Sequence, residues 1–253
     1  MLPSYNIIGK NRLHFETIDS TNDFALELLS KTNPIEGTVV TADFQSMGKG
    51  QYGRVWQGMA HQNIAASVIL YPNFLLPSEQ FYLSKAIALG VKNFVEKRGI
   101  SGVTVKWPND IYIENKKTSG ILIQNILTGN TYKVAIAGIG INVLQSTFDP
   151  QIPNPTSLLL NGLSEKVLLE NLYESFFHEL NLHYQLLKER NFELIDELYN
   201  NALWNKNQEV YFEVDGQKKS AELLKVGVDG KLELKDDFGR IVKYHHGEIK
   251  ILV

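Results

Sequence analysis

The chain contains no cysteine. That excludes a disulfide framework, a thiolate metal site and every mechanism that runs through a cysteine nucleophile. It also has little excess charge. Its 25 Lys and Arg stand against 28 Asp and Glu, a net charge of −3. A dedicated nucleic-acid binder depends on neutralising phosphates, and this balance argues against one. Long hydrophobic runs are missing too. The longest apolar stretch lies near Ala65–Tyr71, far short of the ~20 residues of a membrane helix. Met1 to Phe15 alternates polar and apolar residues, without the continuous apolar core of a signal peptide. The expectation is a soluble cytoplasmic protein with no membrane partner. Core-forming material is abundant. Of 253 residues, 43% are hydrophobic and 21% charged, as in folded rather than disordered chains. The length suits one large domain, or a large one and a small one.

The first part of the chain mixes short strands and helices. Ser20 and Thr21 suit a helix N-cap, and Phe24, Ala25, Leu28 and Leu29 follow at helical spacing. Gly37–Ala42 and Asn63–Tyr71 predict strands. Phe81–Lys97 predicts a helix that Gly99 stops. Val103–Trp107 and Ile111–Glu114 predict a hairpin-like pair. Ile121–Leu127 and Tyr132–Val143 follow, separated by the turn Thr128-Gly129-Asn130. Pro150, Pro153 and Pro155 break regular structure. Ser164 predicts the cap of a long helix carrying Leu168, Leu172, Phe176 and Leu180, and a second helix falls near Phe192–Leu203. After Trp204 the texture changes. Glu209–Val214, Ser220–Val226, Lys231–Lys235 and Arg240–His245 predict short strands, with turns at Asp215-Gly216, Asp229-Gly230 and Phe238-Gly239. About 48 residues of this kind suggest a small barrel of the SH3 sort, near the lower size limit for independent folding. Two domains, 1–204 and 205–253, are the expected division.

Three segments could carry chemistry. In Gln45–Trp56, Gly48, Gly50 and Gly53 satisfy G-x-G-x-x-G after a strand. No helix follows, which removes the dinucleotide-binding reading, and Lys49 lacks the Ser/Thr of a P-loop. Glycines still let backbone N–H groups close on an anion, with Lys49 and Arg54 adding charge. The plain alternative is a flexible surface loop. In Lys106-Trp107-Pro108-Asn109-Asp110 a strand runs into a turn. Asn109 and Asp110 could ligate Mg²⁺ there, or serve as ordinary turn residues. In Lys116-Lys117-Thr118-Ser119-Gly120 a lysine could face an acyl or phosphoryl oxygen, or could simply be a solvated turn lysine. His178 and His183 do not share a helix face well. His245 and His246 would point to opposite sides of a strand. None of these histidines is assigned to a metal.

These segments stand in a telling order. Ser20-Thr21-Asn22, the Gly48–Arg54 loop, Lys106–Asp110, Lys117 with Gly120, and Gly138-Ile139-Gly140-Ile141-Asn142 together resemble biotin–protein ligases. The resemblance covers about Phe15 to Asn142, and the C-terminal β region fits it. It implies an α/β fold: a mixed sheet with flanking helices in a class II aminoacyl-tRNA synthetase-like catalytic domain, followed by a small SH3-like β-barrel. It implies that biotin and Mg·ATP form biotinyl-5′-adenylate and pyrophosphate, and that a lysine of a biotin carboxyl carrier domain then takes the biotinyl group. By resemblance Lys117 is the catalytic residue and contacts the biotin carboxylate and α-phosphate. Ser20, Thr21, Asn22, Gln45 and Gly120 join it in binding biotin. Gly48, Lys49, Gly50, Gln51, Gly53, Arg54 and Trp56 form the adenylate loop. Lys106, Asn109 and Asn142 face ATP and its phosphates, and Asp110 is the Mg²⁺ candidate. No tightly bound organic cofactor is implied.

The chain departs from the family in one place. Many bacterial members carry Gly-Arg-Gly-Arg-Arg-Gly-Arg in the loop. Here Lys49, Gln51 and Tyr52 replace arginines, so a role that needs a guanidinium at Gln51 is in question. Some members add an N-terminal winged helix. Here the motifs begin at Ser20, so the expectation is the short form, without DNA as a partner. Family members often form homodimers through the central sheet. Ser46–Trp56 is expected to be mobile until it orders over biotinyl-adenylate. The competing readings are a lipoate–protein ligase, a non-catalytic biotin- or nucleotide-binding module, and a transcription regulator. The Lys-Trp-Pro-Asn-Asp run favours biotin, and the retained Lys117 and Asp110 favour catalysis. The missing DNA-binding domain disfavours the regulator, and the missing cysteine excludes the related octanoyl transferases.

Overall fold

Seven strands from the first part of the chain form one mixed sheet. They are β1 (Arg12–Ile18), β2 (Val39–Gln45), β3 (Asn63–Leu70), β4 (Val103–Lys106), β5 (Asp110–Ile113), β6 (Lys116–Thr128) and β7 (Thr131–Asn142). Their order is β1-β2-β3-β7-β6-β5-β4. Only β1 and β2 pair in parallel, the other neighbours being antiparallel. The structure is a computed structural model that describes residues 6–129 and 131–253. Met1–Tyr5 of the alternating N-terminal segment and Asn130 of the expected turn lie outside the described residues.

Four helices flank the sheet: α1 (Thr21–Lys31), α2 (Gln80–Glu96), α3 (Glu170–Lys188) and α4 (Phe192–Asn201). Ser20 caps α1, its side chain accepting the Asp23 N–H. On the α1 side, Ala25 packs with Val40, Ile69, Val134 and Ile136. On the other side, α2 and α3 pack with Ile64, Ala66, Val68 and Leu70 of β3 in the main core. Strand β3 is therefore covered on both faces. Every residue in it is buried, which is why its sequence reads as a nearly unbroken apolar run.

Past Trp204 five strands form a second, antiparallel sheet in the order β11-β10-β9-β8-β12. They are β8 (Glu209–Val214), β9 (Gln217–Val226), β10 (Leu232–Lys235), β11 (Ile241–Tyr244) and β12 (Lys250–Ile251). Asp215 and Gly216 both take positive φ, 50° and 72°, as a two-residue hairpin turn requires. This sheet does not have a core of its own. Phe212, Leu223, Val226, Leu232 and Leu234 belong to the same buried cluster as α2 and α3. Polar ties reinforce the junction. Lys85, fully buried, donates to Gly227 O at 2.9 Å and pairs with Asp196. Trp107 Nε1 donates to Gly230 O at 3.0 Å.

The structure departs from the sequence reading in four places. Lys116–Gly120 is strand rather than turn, because β5 pairs along its whole length and β7 joins it from Ser119, while the segment after β7 adds a bridge at Lys117. Lys117 N–H donates to Asn154 O at 2.7 Å, and Lys117 C=O accepts from Thr156 N–H at 2.9 Å. The three-proline segment thus runs along the start of β6. Ser164 does not cap α3, which starts at Glu170. Its Oγ accepts from Lys166 N–H at 3.3 Å, only two residues on, which closes a turn. Leu168 is 66% exposed as a result. Strand β11 ends at Tyr244, so His245 and His246 occupy the turn beyond it and do not alternate across a strand. The short β12 carries too little pattern to be foreseen. Among the described residues no helix is long and apolar enough to cross a membrane.

Candidate active site

A cavity of about 790 Å³ opens between the α1 face of the seven-stranded sheet and the five-stranded sheet. Strand register explains where it begins. On one face of β7, Val134 and Ile136 pack beneath α1. The next residues on that face are Gly138 and Gly140, and the side-chain layer stops there. A Cβ on Gly138 would lie 2.2 Å from Asn22 Oδ1, and one on Gly140 2.3 Å from the Trp56 indole. Gly120 pairs with Gly140 across β6–β7, and a Cβ there would be 3.0 Å from the same indole. Three glycines therefore make a floor on which Asn22 and Trp56 can lie.

At one end of this floor is a buried polar network. Gln45 Oε1 accepts from Thr21 N–H at 2.8 Å and from Thr21 Oγ1 at 3.0 Å. Ser67 Oγ lies 2.7 Å from Thr21 Oγ1 and also within reach of Asn22 Oδ1. Asn22 Nδ2 donates to Gln124 Oε1 at 3.1 Å. Ser67 has one proton for two acceptors, so the network keeps acceptor capacity for a ligand N–H.

At the other end is Lys117. Its Nζ is 2.7 Å from Asp110 Oδ1 and 5.9 Å from the centre of a Trp56 ring. Strand pairing sets Asp110 directly against Gly120, so carboxylate, ammonium and glycine floor share one place. Lys106 Nζ donates to Ile251 O at 3.3 Å and sits 5.4 Å from the Tyr112 ring centre. Burial lowers the Lys106 pKa, and Asp110 opposes that shift. Lys49, Arg54 and Lys250 add further cations to the lining.

The glycine-rich loop folds back over the opening. Gly50 N–H donates to Arg54 O at 2.7 Å, and Trp56 N–H to Gly48 O at 2.9 Å. Gly48 and Gly53 do not line the cavity, whereas every other residue to which the resemblance gives a role does. They shape the loop instead. A Cβ on Gly48 would sit 2.4 Å from Trp56 O, and Gly53 has φ +73°. Lys49 Nζ is 2.7 Å from Asp23 Oδ1. Asn109 and Asn142 line the cavity, but each first serves the backbone. Asn109 Nδ2 donates to Ile121 O, and Asn142 Nδ2 to Thr156 O at 2.9 Å.

Four lining or supporting residues escape the sequence reading. Ser67 is a hydroxyl inside an apolar strand, and Gln124 shares a strand face with Gly120. Both are signals the pattern contains. Tyr52 and His246 meet across the mouth, with Tyr52 Oη 3.1 Å from His246 Nδ1. They are far apart in sequence, and no local pattern links them.

Comparison with known proteins identifies the family. Residues 14–142 match the model of the biotin/lipoate A/B protein ligase family. The bifunctional ligase/repressor BirA of Bacillus subtilis is 35% identical over 164 residues, which are 64% of this chain and 50% of that protein. Biotin–protein ligase 1, chloroplastic, of Arabidopsis thaliana is 28% identical over 243 residues, covering 87% of this chain and 64% of the relative. The chain thus spans about half the length of the Bacillus protein. The biotin protein ligase of Aquifex aeolicus, solved with biotin and ATP, superposes with a TM-score of 0.78 at 25% identity, over 96% of this chain and 99% of that one.

Proposed function

Because the chain belongs to the biotin/lipoate A/B protein ligase family, we infer that it is an ATP-dependent biotin–protein ligase. It activates biotin as biotinyl-5′-adenylate and passes the biotinyl group to a lysine of a biotin carboxyl carrier domain. One observation carries this reading. Gln124, a partner in the polar network, and Gly120, against which Lys117 Nζ rests, lie on one face of β6. They are roughly 13 Å of strand apart. A slot with a hydrogen-bonding end, a glycine floor and a cationic end suits a ligand with a ureido head, an apolar middle and a carboxylate tail. Lipoate brings a dithiolane without N–H or C=O and would leave the network unanswered.

In the first step a biotin carboxylate oxygen attacks the α-phosphorus. The bond from that phosphorus to the bridging oxygen breaks and pyrophosphate leaves. Two anions approach each other, so the Lys117 ammonium lowers the barrier by neutralising charge where it accumulates. Lys49, Arg54 and the loop amides hold the phosphates, and the closed loop keeps water from the anhydride. In the second step the carrier's ε-amine attacks the acyl carbon, AMP leaves, and the amine loses a proton. Mg²⁺ would supply further neutralisation of the phosphates, and Asp110 is the residue that would hold it. Asp110 lines the cavity beside Lys117, and a single carboxylate suits an ion that keeps its waters and arrives with ATP.

The same inference extends to the architecture. Residues 1–204 would form a catalytic domain of the class II aminoacyl-tRNA synthetase type, and 205–253 an SH3-like domain. The separation of β1–β7 from β8–β12 into two sheets supports that division. Biotin-dependent exchange of label between pyrophosphate and ATP tests the first step, and mass spectrometry of an added carrier domain tests the second. Absence of exchange with biotin, or equal turnover with lipoate, overturns the assignment.

A further inference from the structure

Tyr52 is an odd residue to find at the tip of this loop. It takes a left-handed backbone conformation, φ 54°, and leaves 68% of its surface exposed. A residue so exposed needs no fixed direction, yet its hydroxyl is aimed at one place. Oη lies 3.1 Å from His246 Nδ1 and 3.3 Å from His246 O. The two rings are 5.1 Å apart. Both polar contacts are satisfied together if Nδ1–H donates to Oη while Oη–H donates to the carbonyl. Gly247 makes room for this, since a Cβ there would be 2.8 Å from Oη.

His246 is itself held. Its ring meets the buried Trp107 edge to face at 5.6 Å, and Trp107 is tied to Gly230. Tyr52 thus grips a fixed point on the five-stranded side. The other flank of the loop is fastened to α1 and the segment before it, through Lys49 to Asp23 and Ser46 to Asp19. Among the described residues, Tyr52–His246 is the only side-chain hydrogen-bonded link from residues 46–57 to the five-stranded sheet and its turns. Both residues line the cavity, and the link crosses its mouth.

We propose that Tyr52 and His246 form a releasable latch that fastens the glycine-rich loop across the cavity, and that as positioning residues they set how long an acyl-adenylate is retained. The occupant rests on the ligase reading above; the latch itself does not. Opening the mouth breaks two hydrogen bonds and one ring contact, all at the exposed rim, while the buried network below stays intact. The latch therefore acts more on release of the intermediate than on its formation.

The test uses the full chain without ligand. Trypsin cleavage after Arg54 is followed by mass spectrometry in wild type, Tyr52→Phe, His246→Ala and the double variant. Tyr211→Phe, an exposed tyrosine elsewhere, is the control. Tyr52→Phe should speed cleavage roughly thirtyfold, the weight of the two neutral hydrogen bonds its hydroxyl makes. His246→Ala should speed it by a comparable factor, because it removes the Nδ1 bond and the ring contact but leaves the bond to the main-chain carbonyl. The double variant should fall short of the product of the two single effects, since both substitutions remove the shared Nδ1–Oη contact. With biotin and Mg·ATP, both single variants should speed loss of biotinyl-adenylate to solution by a larger factor than they slow its formation. Unchanged cleavage in Tyr52→Phe, or additive effects in the double variant, overturns the latch even if biotin-dependent exchange is intact. Faster cleavage in a protein that shows no such exchange keeps the latch and removes the ligase assignment.

Discussion

On the floor of the cavity, Ser67 and Thr21 are 0% and 4% exposed, and their polar atoms meet partners on the sheet or on α1. In the loop above, Tyr52 and Val55 are 68% and 66% exposed, and a few rim contacts hold the backbone in place. Moving the floor means breaking the same sheet that carries the main core. Moving the roof costs only its rim contacts, so it can open without unfolding the rest. On the proposed reading, recognition of a ligand's head falls to the rigid part, and entry and retention fall to the part free to move.

The largest effect should come from the junction between the two. Lys117→Ala removes the ammonium over Gly120 and should slow adenylate formation by roughly 10²–10³, or about 3–4 kcal/mol of transition-state stabilisation. The fold should survive. Lys117 holds its strand through main-chain bonds to Asn154 and Thr156, and its half-exposed pair with Asp110 adds little stability. Single-turnover formation with a circular dichroism control measures this, and a wild-type rate would remove Lys117 from the centre of the mechanism.

Two glycines sharpen the contrast next. Gly138→Ala places a methyl 2.2 Å from Asn22 Oδ1. Overpacking of that kind costs about 1–3 kcal/mol, and biotin affinity should fall with it because Asn22 is displaced. Gly53→Ala meets nothing within 4 Å and pays only for its φ of +73°, roughly 1 kcal/mol. Biotin binding without ATP should be untouched. Urea midpoints and calorimetric titration with biotin compare the pair, and equal losses in both would erase the distinction between floor and roof.

A smaller change should appear in the roof on ligand binding. Trypsin cleavage after Lys49 and Arg54 should slow when biotin and ATP are present together, since the loop amides then have an anion to close on. Cleavage rates that do not change at saturation would count against closure. The smallest effect belongs to Gln51, whose main-chain carbonyl accepts from Arg54 N–H at 3.1 Å. Gln51→Arg should reduce leakage of biotinyl-adenylate and Gln51→Gly should raise it, both with less change in formation than Lys117→Ala. Separate single-turnover measurements of formation and release would expose a different ranking.

Part of the floor could be read locally. Ser20 at a cap follows from spacing and residue type, while Gln45 and the Gly138–Asn142 run entered through the family resemblance, and the structure gathers them. Strand β3 and helix α2 fall close to where their apolar patterns put them, because each is long and strongly periodic. Ser164 misleads because a serine that closes a turn and one that caps a helix look alike until the partner N–H is known. Lys117 misleads for a related reason. The lysines before Ile121 read as a turn, and only the register in which β5 pairs back on Lys116 and Lys117 makes them strand.

Periodicity, caps and glycine placement are short-range properties, so the sequence by itself determined the order of elements, the apolar faces that bury them and the residues able to bind an anion or a polar ligand head. It could not determine which of those residues meet. Thr21, Gln45, Ser67, Asn22 and Gln124 come from four separate elements. Tyr52 and His246 are 194 residues apart. Contacts of that separation depend on strand register and on how the second sheet is docked. Both are settled by burying one shared core that no local window of sequence contains.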